Sequence, residues 1–529
     1  MPTALIVGSG PAGAGVALAL ARDPNMKITV LDVGTRLERD RRDARSSLAT
    51  SDESTWDPAD LGLISSHAVR GPNGALPEKR TYGSDYPFRN VSQLDGIQPL
   101  DDANGSVVSG AYGGFSNVWG AQIMPFSEAT FDRWPFSRAE MEPHYRVATD
   151  EMAITGDRDD LDTLFPLPSN ALPLPPLAER TRMVLERYEA NVASVQSRGI
   201  TLGRARLAMR SSGCTRCGLC MTGCPYELIY SASQTFDRLR SEGRVDYRDD
   251  LLAVRLSEDG SSAAVEVAHL AGGATERLTA DKVFVACGGI GSTRLVLGSL
   301  GHLNRPVQLG ESVQFVMPTV SARPTEDPRN QRDFTLNQFN LVYDHSGDGY
   351  DLCQIHFYPY NPVFEGSLPR VLQHRVAGGL STAILRRITV GLGYLPSWAS
   401  PSVTVTARDA GAGRLPDLTV GRDGSSGTPP MLRSLLASLL KVAPTLDLWP
   451  VLPMTTVSPA AKSYHFGGSF PHGRERVGMG TDRLGRLDRW DNVHLVDAAV
   501  FPSVPATTFT LTVMANAHRI ATEAMDTMR

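Results

Sequence analysis

A glycine turn near the start of the chain has the spacing of a phosphate-binding loop. The segment Gly8-Ser9-Gly10-Pro11-Ala12-Gly13 fits the pattern G-x-G-x-x-G. Gly8 and Gly10 let the backbone turn tightly and approach a pyrophosphate, and Gly13 lets a helix pack closely on a strand. Asp32 follows about 20 residues later, where its carboxylate can accept hydrogen bonds from a ribose diol. These residues predict a dinucleotide site.

Four cysteines form a second group whose type and spacing could support chemistry. They are Cys214, Cys217, Cys220 and Cys224. Their spacing is typical of the cluster loop of bacterial ferredoxins, in which three thiolates wrap one face of an iron–sulfur cube. Cys224 closes the same site, or the fourth ligand is Cys287, Cys353 or none, and the last case favours a three-iron cluster. The loop at residues 213–226 thus predicts an iron–sulfur cluster that carries electrons to an external acceptor.

Two alternatives to this cluster stay open. Zinc suits the loop less well, because structural zinc sites usually separate two cysteine pairs by about a dozen or more residues. The other alternative is a loop of reduced or disulfide-linked structural cysteines.

The elements around the glycine turn can be predicted from the hydrophobic pattern. An apolar strand at residues 4–7, a helix at residues 11–22 and a second strand at residues 27–31 form a β-α-β unit. Because the glycine turn lies between a strand and a helix of this unit, it is strong evidence for a dinucleotide site, although it does not distinguish NAD from FAD.

Composition excludes several classes of function. The chain has 529 residues, 41% of them hydrophobic, enough to build more than one domain. A net charge of -5 and the lack of a basic block exclude a nucleic-acid partner. No run of about 18 apolar residues is present, so we expect no membrane span. Residues 371–395 come nearest, but four basic side chains interrupt them, and we expect a helical element there. The chain shows no leader sequence, which predicts a cytoplasmic protein.

The pattern of polar and apolar residues changes along the chain. Residues 40–105 read as a long irregular excursion, and residues 283–286 as a buried strand before a helix at residues 292–297. A strand–turn–strand pattern covers residues 247–269. Segments that alternate between polar and apolar residues, such as 314–317 and 353–358, predict antiparallel strands with one wet face. A helix is expected near residues 431–442, a strand at 493–496 and a last helix at 511–525. The fold class is therefore α/β, with a Rossmann-like domain and an inserted antiparallel-sheet domain.

Four further segments resemble signatures of the glucose–methanol–choline (GMC) family of flavin oxidoreductases, and they occur in the family's order. They are residues 113–120 (GGFSNVWG), 283–299 (VFVACGGIGSTRLVLGS), 463–468 (SYHFGG, with Met479-Gly480 beyond), and 496–502 (VDAAVFP) with 510–517 (TLTVMANA). The resemblance implies FAD, a two-part fold and oxidation of a CH–OH group. The cofactor-binding residues that it implies are Gly8, Gly10, Pro11, Ala12, Gly13, Asp32, Gly113, Gly114, Ser116, Asn117, Trp119, Gly120, Asp497, Ala498, Phe509 and Thr510.

The resemblance also predicts the domain organisation. Residues 1–45, 100–150, 200–305 and 460–529 are expected to form the FAD-binding domain. Residues 46–99, 151–199 and 306–459 are expected to form the substrate domain and its excursions.

His465 matches the catalytic histidine of the family. A neutral imidazole suits removal of a hydroxyl proton, because its usual pKa of about 6.5 lies near working pH. His472 is the fallback. The chain departs from the family at Thr508, where a second catalytic His or Asn is usual. The Thr508 hydroxyl can hydrogen-bond a substrate oxygen but cannot serve as a base at neutral pH, so proton removal rests on His465 alone or on a partner from elsewhere. Trp119 stands where many relatives have Asn, which favours the sugar-dehydrogenase side of the family.

The leading hypothesis is an FAD alcohol dehydrogenase. It would oxidise a hydroxymethyl or ring hydroxyl of a sugar, aminosugar or aminoglycoside-like small molecule and pass electrons to an external acceptor. The alternative is an oxidase of a hydrophobic alcohol or sterol that produces hydrogen peroxide. A third hypothesis, from another class, is a flavin electron carrier without substrate turnover.

Overall fold

The computed structural model describes residues 1–66, 80–89, 97–99, 108–362, 378–411, 413–423, 429–461 and 463–527. The α-helices of these residues, in chain order, are α1 (Pro11–Leu20), α2 (Arg39–Thr50), α3 (Pro58–Ser65), α4 (Arg138–Met152), α5 (Glu179–Glu189), α6 (Val192–Gln196), α7 (Ala232–Ser241), α8 (Gly289–Leu300), α9 (Gly378–Leu385), α10 (Pro430–Leu446) and α11 (Thr510–Met525). The strands are β1 (Thr3–Val7), β2 (Lys27–Leu31), β3 (Ile97–Pro99), β4 (Ile154–Thr155), β5 (Ile200–Arg204), β6 (Leu207–Ala208), β7 (Asp246–Arg248), β8 (Leu251–Asp259), β9 (Ser262–His269), β10 (Thr275–Ala280), β11 (Lys282–Val285), β12 (Pro306–Glu311), β13 (Gln314–Val320), β14 (Phe339–Asp344), β15 (Leu352–Tyr358), β16 (Ile388–Tyr394), β17 (Ser402–Arg408), β18 (Asp417–Asp423), β19 (Trp449–Pro450), β20 (Thr456–Val457), β21 (Phe466–Gly467) and β22 (Val493–Leu495).

A five-stranded sheet in the order β22-β11-β1-β2-β7 is parallel throughout. Its strands are short apolar runs, as expected where both faces of a sheet are covered. Helix α1 packs closely against α11, and at the crossing a Cβ on Gly15 would lie 2.3 Å from the Met514 carbonyl oxygen. The last helix of the chain is therefore held directly against the helix that begins at the glycine turn.

A seven-stranded sheet forms the second large layer. Its order is β19-β13-β16-β15-β14-β5, with β20 paired to β13, and its pairs are antiparallel. Side chains alternate between the two faces. On β15, Cys353, Ile355 and Phe357 join an apolar core with α5 and α10. Gln354 and His356 therefore point to the opposite face, where both side chains are buried. This face, called the polar face below, also carries Val342 and Leu392.

The polar face of this sheet packs on residues 120–124, which end and follow the glycine-rich segment 113–120. The Gln354 side-chain amide contacts the Met124 sulfur at 3.2 Å, and the Asn337 amide donates to the Gln122 side chain at 2.9 Å. A Cβ on Gly120 would lie 3.0 Å from the Tyr358 hydroxyl. The sheet is thus packed on the chain that follows the glycine-rich segment 113–120.

Three smaller sheets complete the described fold. Strands β10, β9 and β8 form an antiparallel sheet, and β4 pairs with β6. A five-stranded sheet has the order β21-β12-β17-β18-β3, in which only the β18–β3 pair is parallel. Through β21, this last sheet carries the backbone that leads out of the histidine segment.

The predicted fold class is confirmed: a parallel α/β layer carries the glycine turn, and an antiparallel sheet lies between its segments in the chain. The predicted β-α-β unit, the strand pairs around residues 250–269 and the helices near residues 292–297, 431–442 and 511–525 are all present. The bounds of the two domains stay a prediction.

Two local predictions were wrong. Within residues 40–105, the described part contains α2 and α3, which were missed because α2 buries only Ala44 and Leu48 and has little apolar periodicity. An available signal was the start of α3, where the Asp57 carboxylate caps the helix and Pro58 follows as its first residue. The expected helical element at residues 371–395 is only partly helical: α9 ends at Leu385 and the central strand β16 follows. Residues 371–377 lie outside the described residues.

Within the described ranges, no helix combines the length and apolar composition that crossing a bilayer requires.

Candidate active site

The main cavity opens at the carboxyl ends of the parallel strands β1, β2 and β11. It contains about 1590 Å³ of space not occupied by atoms, part of which is open to solvent. Most of the predicted site residues line it together: Gly8, Gly10, Pro11, Ala12, Asp32, Gly114, Ser116, Trp119, His465, Asp497, Ala498, Phe509 and Thr510. Segments that are hundreds of residues apart in the chain therefore meet at one edge of the sheet, where α/β folds bind their ligands.

The glycine turn has the geometry of a phosphate cradle. Gly8 has a φ of +103°, and a Cβ there would lie 2.6 Å from the Ala286 carbonyl oxygen. At Gly10, by contrast, a Cβ would have no described heavy atom within 4 Å apart from those of its chain neighbours. Helix α1 begins at Pro11, so its N-terminal amides and the positive end of its dipole face the cavity. The turn is closed on the sheet side and open on the cavity side, as a bound pyrophosphate requires.

Asp32 stands at the end of β2 in a network of hydroxyl groups. Its Oδ2 accepts hydrogen bonds from the Ser9 hydroxyl and from the Tyr247 hydroxyl, the latter at 2.9 Å. The Ser9 Oγ also accepts a hydrogen bond from the Gly113 amide at 2.9 Å, which ties the glycine-rich segment to the turn. Burial raises the pKa of Asp32 to about 6 despite these bonds. The Asp32 carboxylate also accepts a backbone hydrogen bond from Val33, so it is held in place at the end of β2.

Asp497 is the second buried carboxylate of the cavity. Its Oδ1 accepts the Ala499 amide at 2.9 Å, and its Oδ2 accepts the Ser292 hydroxyl at the start of α8. Burial raises the pKa of Asp497 to about 6. The side chain therefore joins two elements of the parallel layer beside the cavity.

Four of the predicted cofactor residues lie just outside the cavity wall. Gly13 packs its helix onto the turn, since a Cβ there would lie 2.1 Å from the Gly8 carbonyl oxygen. The Gly113 amide is used by Ser9. The Asn117 side-chain amide donates to two backbone carbonyls of its own segment at 2.8 Å, so it shapes the segment from within. Gly120 faces Tyr358.

His465 is held by its own loop and by the neighbouring sheet. The buried Glu311 carboxylate accepts the Ala461 and Ser463 amides at 2.7 and 2.9 Å. The Ser463 hydroxyl accepts the His465 amide at 3.0 Å, and the Ser312 amide donates to the His465 carbonyl at 3.0 Å. Sequence reasoning missed Glu311, which lies on β12 far from the motif.

The His465 imidazole lines the cavity between two aromatic rings. It stacks on Tyr394 at 4.7 Å and meets Phe509 at 4.8 Å. Its Nδ1 has no hydrogen-bond partner among the described residues. Burial lowers the pKa of His465 to about 4, so the ring is neutral at neutral pH. A neutral imidazole beside a cofactor-sized cavity can accept a proton.

The two other predicted candidates differ from His465. Thr508 is buried next to Phe509, and its hydroxyl has no partner among the described residues. His472, the fallback base, uses both ring nitrogens within the fold: Nδ1 contacts the Asp482 carbonyl oxygen at 2.7 Å and Nε2 contacts the Asn516 amide at 3.2 Å. Both ring nitrogens of His472 are therefore engaged in contacts within the fold.

A second imidazole, which the sequence did not indicate, lies close to His465. His356 is 2% exposed, and its ring lies 5.2 Å from the ring of Tyr394, the residue that stacks on His465. Its Nε2 has no hydrogen-bond partner among the described residues. Burial, and next the neighbouring His465, lower the pKa of His356 to about 3.

The cysteine loop does not form a metal site. Its four cysteines are free and half-buried, and burial raises the pKa of the thiols of Cys217 and Cys224 to about 12 and about 11. Within the described part of the chain, no three or more His, Cys, Asp or Glu side chains are grouped so as to hold a metal ion. The predicted iron–sulfur cluster is therefore not supported, since its ligands would be thiolates in one shell.

The two alternative fourth ligands lie elsewhere in the fold. Cys287 follows β11 and lines the main cavity, where its thiol contacts the Val7 carbonyl oxygen at 3.5 Å. Cys353 is completely buried in the apolar core of the seven-stranded sheet. Cys220 and Cys224 instead line a separate polar cavity, which shares Ser116 and Trp119 with the main cavity.

The parallel layer with its glycine turn and the antiparallel seven-stranded sheet together form the two-part fold that the resemblance to GMC oxidoreductases implies. A solved structure described as pyridoxine 4-oxidase from Mesorbium loti has this fold. It matches with a TM-score of 0.59 and 14% sequence identity, and the match covers 99% of each chain. No protein-family model and no curated protein matches the sequence.

Proposed function

We propose that this protein is an FAD-dependent oxidoreductase that oxidises a CH–OH group to a carbonyl. The observation that carries the proposal is the position of His465: a neutral imidazole lines the same cavity as the glycine turn and Asp32. A dinucleotide site alone would fit many functions. A proton acceptor in the same cavity fits the removal of a hydroxyl proton.

The residues of the cavity fit FAD. The open side of the turn at Gly10 and the N-terminus of α1 would hold the pyrophosphate, and the Asp32 carboxylate would hold a ribose hydroxyl. Trp119 and Phe509 also line the cavity, and the Phe509 ring lies 4.8 Å from that of His465. When bound, FAD supplies the acceptor for the hydride that leaves the carbinol carbon.

The part of the chemistry that the protein side chains perform is the removal of one proton from the substrate. His465 accepts the hydroxyl proton of the substrate as the carbonyl forms, which requires an unprotonated ring nitrogen. The lowered pKa of His465 keeps the ring neutral, and the stacked Tyr394 and the edge of Phe509 hold its plane. The hydrogen bonds that the Glu311 carboxylate and the Ser463 hydroxyl accept from backbone amides fix the loop, so the ring needs no rearrangement before the proton moves.

We propose a polar substrate of the sugar, aminosugar or aminoglycoside class. This is supported by four buried polar atoms that have no hydrogen-bond partner among the described residues and that lie on or against the polar face of the seven-stranded sheet. They are Gln122 Nε2, Asn337 Oδ1, Gln354 Oε1 and His356 Nε2. A buried polar atom left unpaired costs about 1–3 kcal/mol, so polar side chains kept at this depth fit a polar substrate better than an apolar one.

The alternative, an oxidase of a hydrophobic alcohol or sterol, is disfavoured by the same four atoms. The flavin electron carrier without turnover is disfavoured by His465, because electron transfer alone does not need a neutral imidazole in the cofactor cavity. In our proposal the electrons pass from the bound cofactor to an external acceptor. No step passes through the cysteine loop, since its residues form no metal site.

The test is anaerobic reduction of the bound cofactor by a panel of alcohols. Purified protein should contain FAD, and D-glucose, D-glucosamine, neamine, pyridoxine and cholesterol would each be mixed with it without air. Pyridoxine is included because the solved neighbour is described as a pyridoxine oxidase. We expect loss of the oxidised-flavin absorbance with at least one polar alcohol. No reduction with any alcohol would refute the proposal, and reduction by cholesterol alone would favour the hydrophobic alternative.

The role of His465 has its own test. His465→Ala should slow flavin reduction by about 10² or more while FAD stays bound, because a positioned general base contributes at least that factor. Reduction by His465→Ala at the wild-type rate would remove this residue from the mechanism.

A further inference from the structure

A second cavity beside the main cavity takes no part in the proposed chemistry, and we call it the polar cavity. It contains about 1070 Å³ of space not occupied by atoms, part of which is open to solvent. The glycine-rich segment 113–120 forms part of both walls: Gly114 lines only the main cavity, Asn117 lines only the polar cavity, and Trp119 lines both. A ligand in the polar cavity would therefore occupy a different space from the cofactor.

The carboxylates that line the polar cavity are already paired. Among the residues described they are Glu227 and Asp237. The Glu227 carboxylate accepts a hydrogen bond from the Arg45 guanidinium at 2.6 Å. The Asp237 carboxylate accepts the Tyr112 hydroxyl at 2.8 Å, and the Arg240 guanidinium lies 3.9 Å from it. Neither carboxylate is therefore left to neutralise the other arginines of the wall.

Two further arginines of the wall, Arg36 and Arg42, have no hydrogen-bond acceptor for their side chains among the described residues. The Arg36 guanidinium lies over the Tyr112 ring at 4.1 Å, and its Nε is 4.0 Å from the Asp249 carboxylate, beyond hydrogen-bond distance. Stacking on a ring leaves the N–H groups in the guanidinium plane free for another acceptor. Arg42 is exposed and forms no ion pair with a described residue. The wall therefore presents two charged groups whose N–H donors lack an acceptor.

Tyr86 supplies a third unpaired donor. The residue is 6% exposed and lines the polar cavity, and its hydroxyl has no hydrogen-bond partner among the described residues. A buried tyrosine hydroxyl usually finds such a partner, and two other tyrosines of the wall follow this rule: Tyr82 donates to the Cys224 carbonyl oxygen at 2.9 Å, and Tyr112 donates to a carboxylate. Burial raises the pKa of Tyr86, so its hydroxyl keeps its proton and can donate.

We propose that the polar cavity binds a small oxyanion, a molecule with a phosphate or a carboxylate group, and that Arg36, Arg42 and Tyr86 donate hydrogen bonds to it. All three unpaired groups are donors and two of them are charged, so the complementary ligand has acceptor oxygens and negative charge. The guanidinium fork matches the paired oxygens of phosphate and of carboxylate. A neutral ligand would leave both positive charges without a counter-charge. Binding there requires no turnover, so the site goes beyond the proposed function.

The experiment is titration calorimetry of the protein with FAD bound, in a chloride buffer. Bound FAD occupies the glycine turn of the main cavity, so an added anion is not held there. Inorganic phosphate and acetate are the two probes, and acetamide is the neutral match of acetate. We expect one saturable site per chain for at least one of the anions, with a Kd of about 1 mM or tighter, and no saturable binding of acetamide. The anion that binds more tightly shows whether the site prefers phosphate or carboxylate.

Four variants locate the bound anion, and the flavin absorbance of each verifies that FAD is retained. Arg36→Gln and Arg42→Gln each remove a charged donor, and Tyr86→Phe removes a hydroxyl and keeps the ring. Arg39→Gln is the matched control, because Arg39 lies on the same helix as Arg42, has a side chain that is 88% exposed and is not part of the wall. We expect each of the first two variants to bind the preferred anion about tenfold or more weakly, the factor for a lost hydrogen bond to a charged group. Tyr86→Phe should weaken binding as well, and Arg39→Gln should bind as wild type.

The absence of a saturable site for both anions in the wild-type protein would overturn the assignment, and so would binding of acetamide as tight as that of the preferred anion. Anion binding that stays at wild-type strength in Arg42→Gln and Tyr86→Phe would place the anion outside the polar cavity. An equal loss in Arg42→Gln and Arg39→Gln would also overturn the assignment, because it would mean attraction to surface charge in general. No alcohol is present in this titration, so anion binding and flavin reduction are decided separately, and either can fail while the other stands.

Discussion

The neutral state of His465 leads to a quantitative prediction for the pH dependence of flavin reduction. Burial lowers its pKa to about 4. A base with this pKa is about 97% unprotonated at pH 5.5, whereas one with the usual value of about 6.5 is only about 9% unprotonated there. We therefore expect the rate of flavin reduction at pH 5.5 to stay close to that at pH 7.5. The rate should fall only as the pH approaches about 4.

The stability of the protein has a different pH dependence, which the assay must exclude. His356, His465 and His472 all have a lowered pKa in the folded protein, at about 3, 4 and 3. In the unfolded chain they titrate near about 6.5, so the unfolded state binds more protons as the pH falls below that value. This contribution to stability is present above pH 6.5 and declines as the pH falls towards 4.

A pH-jump stopped-flow experiment separates the two effects. Enzyme held at pH 7.5 without air is mixed with alcohol in acidic buffer, and flavin absorbance is recorded before unfolding begins. Tryptophan fluorescence recorded in parallel reports unfolding. A rate that halves near pH 6.5 in folded protein would contradict the assignment of the buried, neutral His465 as the base.

Three further predictions concern the cofactor cavity, the fallback histidine and the cysteines. Gly13→Ala should abolish FAD retention, since its Cβ would lie 2.1 Å from the Gly8 carbonyl oxygen. The control Gly62→Ala should retain the cofactor, because no described atom beyond its chain neighbours and its own helix backbone lies within 4 Å of the new Cβ. The FAD content after desalting measures both. His472→Leu should lower the free energy of unfolding in urea by about 1–3 kcal/mol, because it leaves the buried partners of the imidazole unpaired. Flavin reduction by the folded His472→Leu variant should stay within about twofold of wild type, and a large loss of rate would return His472 to the mechanism. Unfolded protein should titrate with a thiol reagent as six free thiols, and a count lower by two or four would indicate disulfides.

Several features of the site could be predicted because the information for them is local. The strand, the glycine turn and the helix of the first 20 residues are close in sequence, and the conformation of Gly8 follows from its contact with the adjacent strand. Alternation along residues 353–358 predicted an antiparallel strand with one wet face; the strand is present as β15, but the prediction of a wet face was wrong, because both faces of β15 are buried. The motif around His465 predicted a proton acceptor, and the structure places that side chain in the cavity with the turn.

The sequence by itself therefore determined the glycine turn, the fold class and the identity of one candidate base. Only the tertiary structure decided that His356 lies beside His465, because the register of β15 on β16 brings Tyr394 into contact with both imidazoles. The same is true of the cysteines, whose spacing suggested a cluster that their folded arrangement does not support. Spacing along a chain restricts which side chains can meet, but strand register and burial determine which of them do.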